Sequence, residues 1–148
     1  MTPLLATALI VHVLAGILAI SFLFVIAIHL LKREPNFNFL SWLSWSTVVL
    51  FLLSWGSSAY YYVTYYGGAV KPRILEGDFP AGHIFFMEAK EHLFLLLPFL
   101  TIALAFTISL LRHMPDERVK KAAAFLAVLA LCIGIFITAA GMVVSGSI

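Results

Sequence analysis

Four long runs of apolar residues follow one another along the chain, separated by short polar segments. A helix needs about 20 predominantly apolar residues to cross a bilayer, and each run is long enough. Four spans are too few to close a β-barrel. The pattern therefore predicts an all-α fold, an integral membrane four-helix bundle of up-down-up-down topology, with residues 1–148 as a single transmembrane domain. The predicted spans are Leu4–Leu31, Phe39–Tyr66, Ile84–Leu111 and Ala122–Gly146.

Composition favours lipid as the solvent of this chain. Hydrophobic residues make up 63% of the sequence and charged residues 11%, whereas soluble domains carry about 25% charged residues. The single cysteine, Cys132, excludes an intrachain disulfide, and the net charge of +2 gives no reason to expect a nucleic-acid partner. The first apolar run has no basic segment ahead of it and exceeds a signal-peptide core in length. We therefore expect a membrane span there rather than a cleaved leader.

Lysine and arginine are distributed unevenly among the connections. The middle connection holds only Lys71 and Arg73. By the positive-inside rule the two more basic connections face the cytoplasm, so both termini are predicted to lie outside the bacterial inner (plasma) membrane. The basic residues of the first and third connections are Lys32, Arg33, Arg112, Arg118, Lys120 and Lys121.

Small residues recur every three or four positions along the fourth run, which places them on one helix face. Small residues let helix backbones approach closely in lipid. This face is therefore predicted to pack inside the bundle, with Gly134 at a helix–helix contact. The stripe consists of Ala123, Ala127, Ala130, Gly134, Thr138 and Gly141.

Two histidines share one depth in the predicted membrane. His12 and His92 each lie about eight residues from the outer end of their run, or roughly 12 Å at 1.5 Å per residue. Small residues surround His12 on its face, among them Ala15, Gly16 and Ala19, and leave room for a flat ligand. Histidine is an ordinary axial ligand of haem, so we expect His12 and His92 to hold a haem b. Other metal or proton chemistry and a purely structural role remain alternatives.

The beginning of the third run is rich in ionisable residues. Glu88 and His92 are four positions apart and share a face, so Glu88 is expected to orient His92 or to relay protons. Lys90 lies roughly opposite His92 and is expected to extend outward to the interface. Glu91 and His83 are alternative metal ligands near the outer surface, although His83 alone is typical of an interfacial histidine. A salt-bridged helix start is the structural alternative for Glu88, Lys90 and Glu91.

Five tyrosines cluster between residues 60 and 66 at the predicted outer end of the second run. Such a cluster is typical of an aromatic belt at the membrane interface. Tyr62 and Tyr66 also share a face with Trp55, which could line a cofactor or quinone pocket at the depth of His12. Gly67-Gly68 is expected to end the helix.

The run Tyr-Tyr-Tyr-Val-Thr-Tyr-Tyr-Gly-Gly, followed by Met-Glu-Ala-Lys-Glu-His-Leu-Phe, resembles an uncharacterised family of small four-span bacterial membrane proteins. The resemblance covers most of the chain and implies the four-span fold, but no activity. In plan the chain is also similar to small membrane b-type cytochromes, and this similarity rests on His12 and His92. It implies a haem between two helices.

The leading expectation is therefore a haem b-binding membrane electron-transfer subunit, with quinol as a candidate partner and Tyr62 and Glu88 near the cofactor. The first alternative is a metal-dependent membrane enzyme or transporter, in which His12, His83, Glu88, Glu91 and His92 bind a transition-metal ion. The second is a structural subunit of a larger membrane complex or oligomer. The sequence contains no pattern that decides whether the protein is an enzyme.

Overall fold

The computed structural model describes residues 2–147, and within that range every regular element is a helix. The first helix, α1, covers Pro3–Leu30. It begins at Thr2, whose side chain accepts a hydrogen bond from the backbone N–H of Leu5 at 3.4 Å. Proline at the first helical position supports this start, because its missing N–H would have no partner there.

The second helix is longer than the sequence predicts. The α-helix α2 (Phe37–Tyr61) continues without a break into a π-helical segment, π1 (Tyr62–Val70), and a short helix, α3 (Lys71–Glu76). The expectation that the Gly67-Gly68 pair ends the helix is wrong. Glycine usually ends a helix by adopting a positive φ, and no described glycine does so here.

The remaining chain forms the other two long helices. A second π-helical segment, π2 (Gly82–Met87), leads directly into α4 (Glu88–Leu111), and α5 covers Glu117–Ser145. The carboxylate of Asp116 starts α5 by accepting from the backbone N–H groups of Arg118 and Val119 at 2.7 and 2.9 Å. Four helical stretches within residues 2–147 are long and apolar enough to cross a membrane.

The four long helices form a closed ring. Helix α1 packs against α2 and α5, and α4 packs against the same two helices. The connections between successive long helices are short, covering residues 31–36, 77–81 and 112–116. Short connections join antiparallel neighbours, so the bundle runs up, down, up and down, as predicted.

The interior differs between the two halves of the bundle. The loop half, next to connections 31–36 and 112–116, is filled by large aliphatic side chains with little or no exposure. The terminal half, where α1 begins and α5 ends, contains π1 and π2 and a smaller core of Tyr66, Val70, Ile74, Met87 and Val144. The loop-half core includes Leu23, Ile26, Leu30, Leu40, Leu43, Leu104, Ile108 and Leu111.

The small-residue stripe of α5 crosses from one half to the other. Ala123, Ala127 and Ala130 are completely buried. A β-carbon on Gly134 would lie 3.0 Å from Cγ1 of Ile20 on α1, so the predicted helix–helix contact is confirmed. Towards the terminal half the stripe leaves the packed interior, and its last member, Gly141, borders two cavities.

Candidate functional site

The imidazole ring of His12 is held in place by hydrogen bonds to the second helix, α2. Its Nδ1 lies 2.9 Å from the Ser54 hydroxyl and 3.0 Å from the Ser54 carbonyl oxygen. The Ser54 hydroxyl is also 3.0 Å from the His12 carbonyl oxygen. The edge of the His12 ring meets the Phe94 ring at a centroid distance of 5.7 Å. Because Ser54 occupies Nδ1 and no hydrogen bond within residues 2–147 engages Nε2, Nε2 remains available to a ligand.

Two neighbouring cavities meet at His12. The tyrosine cavity, of about 400 Å³, lies between α1, the α2–π1 junction, α4 and the end of α5. The glycine cavity, of about 500 Å³, lies between α1, α2, α4 and α5 and includes Gly16, Gly134 and Gly141 in its wall. Both cavities are lined by His12, Lys90 and Phe94. The glycines in this wall permit close contacts, since a β-carbon would lie 3.0 Å from Ile20 at Gly134 and 3.5 Å from the Ser54 hydroxyl at Gly16.

Lys90 points into the bundle and not out to the interface, so the expected outward orientation is wrong. Its side chain lines both cavities. A β-carbon on Gly141 would lie 3.5 Å from Lys90 Nζ, which places the ammonium against α5. No hydrogen bond or ion pair within residues 2–147 engages that ammonium. An unpaired cation inside an apolar bundle is costly and marks a functional site by default.

Glu91 lies in the wall of the tyrosine cavity beside Lys90. Its Oε1 is buried and has no hydrogen-bond partner among the described residues. Tyr62, a predicted site residue, lines the same cavity and stacks on Tyr66 with ring centroids 5.1 Å apart. The cavity therefore combines a mainly apolar wall with an imidazole, an ammonium, a carboxylate and a phenol.

His92 lies on the other side of α4. It follows Lys90 by two positions, which is about 200° around a helix, and its side chain is exposed while that of Lys90 faces the cavities. His92 lines neither of the cavities that His12 lines. Its Nδ1 lies 2.7 Å from the backbone carbonyl of Glu88, so the expected role of the Glu88 carboxylate in orienting His92 is not seen. The pairing of His12 with His92 thus stays a prediction without support from this geometry.

His83 is buried, with 3% of its surface exposed, and is not an interfacial side chain as expected. Its Nδ1 lies 3.0 Å from the Tyr66 hydroxyl. Its Nε2 is buried without a partner among the described residues. This pair joins π1 to π2, and it is separate from the His12 contacts with α2.

Both π-helical segments lie at the tyrosine cavity. Tyr62, Val63, Tyr66 and Val70 of π1 and Met87 of π2 contribute to its wall. A π-helical turn contains more residues than an α-helical turn and frequently occurs at functional sites. Apart from the tyrosine run and the glycines that follow it, no pattern in the sequence indicates either segment.

Within residues 2–147, no group of three or more His, Cys, Asp or Glu side chains is arranged to hold a metal ion. No protein-family model, curated protein or solved structure matches this chain. The resemblance to b-type cytochromes therefore gains no support from relatives, and the site must be interpreted from its own geometry.

Proposed function

We propose that this chain is an integral protein of the bacterial inner membrane, with both termini outside. Its four long helices are apolar enough to span, and they carry large apolar side chains on the outer surface of the bundle, such as Phe99 at 70% and Phe125 at 69% exposure. A surface of this kind is stable in lipid and a liability in water. The orientation is supported by the concentration of Lys and Arg in two of the three connections.

The function that the site supports best is binding of a quinol or quinone in the tyrosine cavity, as part of a membrane electron-transfer protein. The observation that carries this proposal is a mainly apolar cavity of about 400 Å³ whose wall includes the polar side chains of His12, Lys90, Glu91 and Tyr62 among others. Small-molecule sites are typically concave, mainly apolar and equipped with a few placed polar groups. A quinone headgroup is flat and apolar, with oxygens at opposite ends, and it reaches the site from lipid.

Three of these polar groups can each form a hydrogen bond with such a headgroup. His12 Nε2 can bond one ring oxygen, because Ser54 fixes the imidazole through Nδ1. The Lys90 ammonium can donate to a carbonyl oxygen of the oxidised form. The unpartnered Oε1 of Glu91 can accept a hydroxyl hydrogen from the reduced form. Histidine and carboxylate groups within hydrogen-bond reach are also the usual acceptors of the protons that a quinol loses on oxidation.

Haem b is the second candidate, favoured by the available Nε2 of His12. When bound, haem supplies one-electron chemistry, and one axial histidine is sufficient in several haem proteins. His12 fits that single position. The exposed His92 does not fit the opposite one, because it lies on another face of α4. The metal-ion alternative with His83, Glu88 and Glu91 has no arranged ligand set to support it.

Fluorescence of Trp55 offers a direct test, since Trp55 lines the tyrosine cavity and the other two tryptophans, Trp42 and Trp45, line a different groove. In a variant with both of the latter replaced by phenylalanine, a short-tailed ubiquinone analogue should quench Trp55 saturably. His12→Leu should weaken this binding by roughly tenfold or more, since it removes a buried hydrogen bond. His92→Leu, the matched control on the exposed face, should leave it unchanged.

An absorption spectrum of protein purified from haem-producing cells separates the candidates. A Soret band that His12→Leu abolishes and His92→Leu retains would support haem with one histidine ligand. Loss of the band in both variants would restore the bis-histidine arrangement. Quenching that rises linearly with the quinone-to-lipid ratio, with no Soret band, would remove both redox proposals and leave the structural-subunit alternative.

A further inference from the structure

The tryptophan groove lies on the outside of the bundle, in the loop half, and it is separate from the two cavities at His12. It has a volume of about 690 Å³ and is open along one side. Leu18 and Phe22 of α1 form one wall, and α2 forms the other from Asn38 to Leu50. Arg112, which follows the last residue of α4, closes the end nearest the loops.

Arg112 is held at the mouth of this groove with part of its guanidinium group free. Its Nε donates to the side-chain oxygen of Asn38 at 2.9 Å. No acceptor within residues 2–147 engages the two terminal guanidinium nitrogens, and no described carboxylate lies within ion-pairing distance of them. The bond to Asn38 therefore orients the group while leaving donors that match the oxygens of a phosphate.

Two tryptophans line the groove just below Arg112. Trp45 donates from Nε1 to the Ser109 hydroxyl at 3.2 Å, and its ring meets Phe106 edge-on at a centroid distance of 5.1 Å. Trp42 is 64% exposed along the same groove. Tryptophan is typical of the level of lipid headgroups, because its ring is apolar and its N–H is polar. The Arg112 end of the groove thus has the character of a headgroup site.

The length of the groove matches one lipid tail. Asn38 and Val49 are eleven positions apart on α2, which is about 17 Å at 1.5 Å per residue. Half of a bilayer's hydrocarbon core is about 15 Å. A small soluble anion would occupy only the Arg112 end and would leave the apolar part without a ligand, whereas a phospholipid fills both.

We propose that the tryptophan groove is a binding site for an anionic phospholipid, with the phosphate at Arg112 and an acyl chain along Phe22 and Val49. Other cations gather at the same end of the bundle, since Lys32, Arg33 and Arg118 lie in or beside the two connections there. Anionic lipids are attracted to basic segments at the cytoplasmic surface, which is where the proposed orientation places this end. The site is independent of any ligand at His12.

Native mass spectrometry of the full chain, in detergent mixed with phosphatidylglycerol and phosphatidylcholine, tests the proposal. The protein should retain phosphatidylglycerol over phosphatidylcholine by roughly tenfold, because both lipids carry a phosphate but the choline cation of phosphatidylcholine offsets its attraction to Arg112. Arg112→Gln should abolish this preference. Arg118→Gln is the matched control, because Arg118 is an exposed cation at the same end that does not line the groove.

A second pair of variants and three contrary outcomes complete the test. Ser46→Phe places a ring in the groove and should reduce retention of both lipids, whereas Val128→Phe on the exposed face of α5 should not. Equal retention of the two lipids by the wild-type protein would overturn the headgroup assignment. A loss of preference as large in Arg118→Gln as in Arg112→Gln would reduce the effect to general attraction by basic loops. Displacement of the lipid by inorganic phosphate alone would show that the apolar groove contributes nothing.

Discussion

The interior of the bundle is packed differently in the loop half and in the terminal half. In the loop half, regular α-helices bring aliphatic side chains such as Leu23, Ile26 and Leu104 into one core, where each is at most 1% exposed. In the terminal half, which contains two π-helical segments, two cavities are lined by His12 and Lys90. The interior of the loop half is packed, whereas the interior of the terminal half leaves room for the proposed ligand.

The polar groups show the same division. Serine and threonine hydroxyls in the loop half bond nearby carbonyls, as Thr47 does with the Leu43 carbonyl at 2.8 Å, so their polarity is satisfied. In the terminal half the Lys90 ammonium, Glu91 Oε1 and His83 Nε2 have no partner among the described residues. Unpaired polar groups in an apolar interior are destabilising. Their concentration in one half fits the ligand site proposed there, because a bound headgroup would supply the missing partners.

Truncation of one core side chain in each half should give the largest difference between the halves in the free energy of unfolding that is lost. Leu104 is 1% exposed and borders neither cavity, whereas Met87 already lines the tyrosine cavity. Leu→Ala substitutions cost about 2–5 kcal/mol in soluble proteins. The cost is at the lower end in a bilayer, because the leucine side chain stays in an apolar environment when the helices separate into lipid. We expect Leu104→Ala to cost about 2 kcal/mol and Met87→Ala clearly less, measured by reversible unfolding in bicelles. Equal losses would mean that the halves are equally well packed.

The packing of the loop half can also be tested by enlarging a small buried residue instead of truncating a large one. Ala127 is completely buried in the helix–helix contact of the loop half, and Ala139 on the same helix is exposed. Added methylenes in a packed interior cost about 1–3 kcal/mol. Ala127→Leu should therefore lower the free energy of unfolding by an amount in this range, while Ala139→Leu, which points to lipid, should be neutral. A neutral Ala127→Leu would show that the loop half contains space that the structure does not reveal.

The loop half could be predicted from the sequence more fully than the terminal half. Apolar length gave the four helices, and the spacing of small residues gave the packed face of α5 with Gly134 in contact. These signals are local and repeat along one helix, so their phase is fixed by the apolar residues themselves. The terminal half depends on contacts between distant positions, such as that of His12 with Ser54, 42 residues away. A local sequence pattern cannot predict a contact between residues so far apart in the chain.

The rotation of α4 is where the structure differs most from the expected arrangement of the candidate site. Apolar residues surround the helix between Ile84 and Met87, so the pattern does not define which side faces inward. The shared depth of His12 and His92 favours His92 inside and Lys90 outside the bundle, whereas the structure has the reverse. Their opposition across the helix was predicted correctly, because it follows from helical geometry alone. The π-helical turns add to the difficulty, since each shifts the phase of the residues beyond it.

The smallest expected effect concerns the one direct hydrogen bond between side chains of π1 and π2. Tyr66→Phe removes the hydroxyl that lies 3.0 Å from His83 Nδ1 and leaves the buried imidazole without a partner on either nitrogen. Hydrogen bonds between helices in lipid contribute on average about 0.6 kcal/mol, so the loss in global stability should be near that value. Tyr60→Phe is the control, because Tyr60 is exposed. The local effect should be larger than the global one: the amides of π1 and π2 should exchange hydrogen faster in Tyr66→Phe, while those of α1 and α2 in the loop half should not change. Uniformly faster exchange would mean that the two halves unfold as a single unit, and the division between a packing half and a ligand half would then lose its energetic basis.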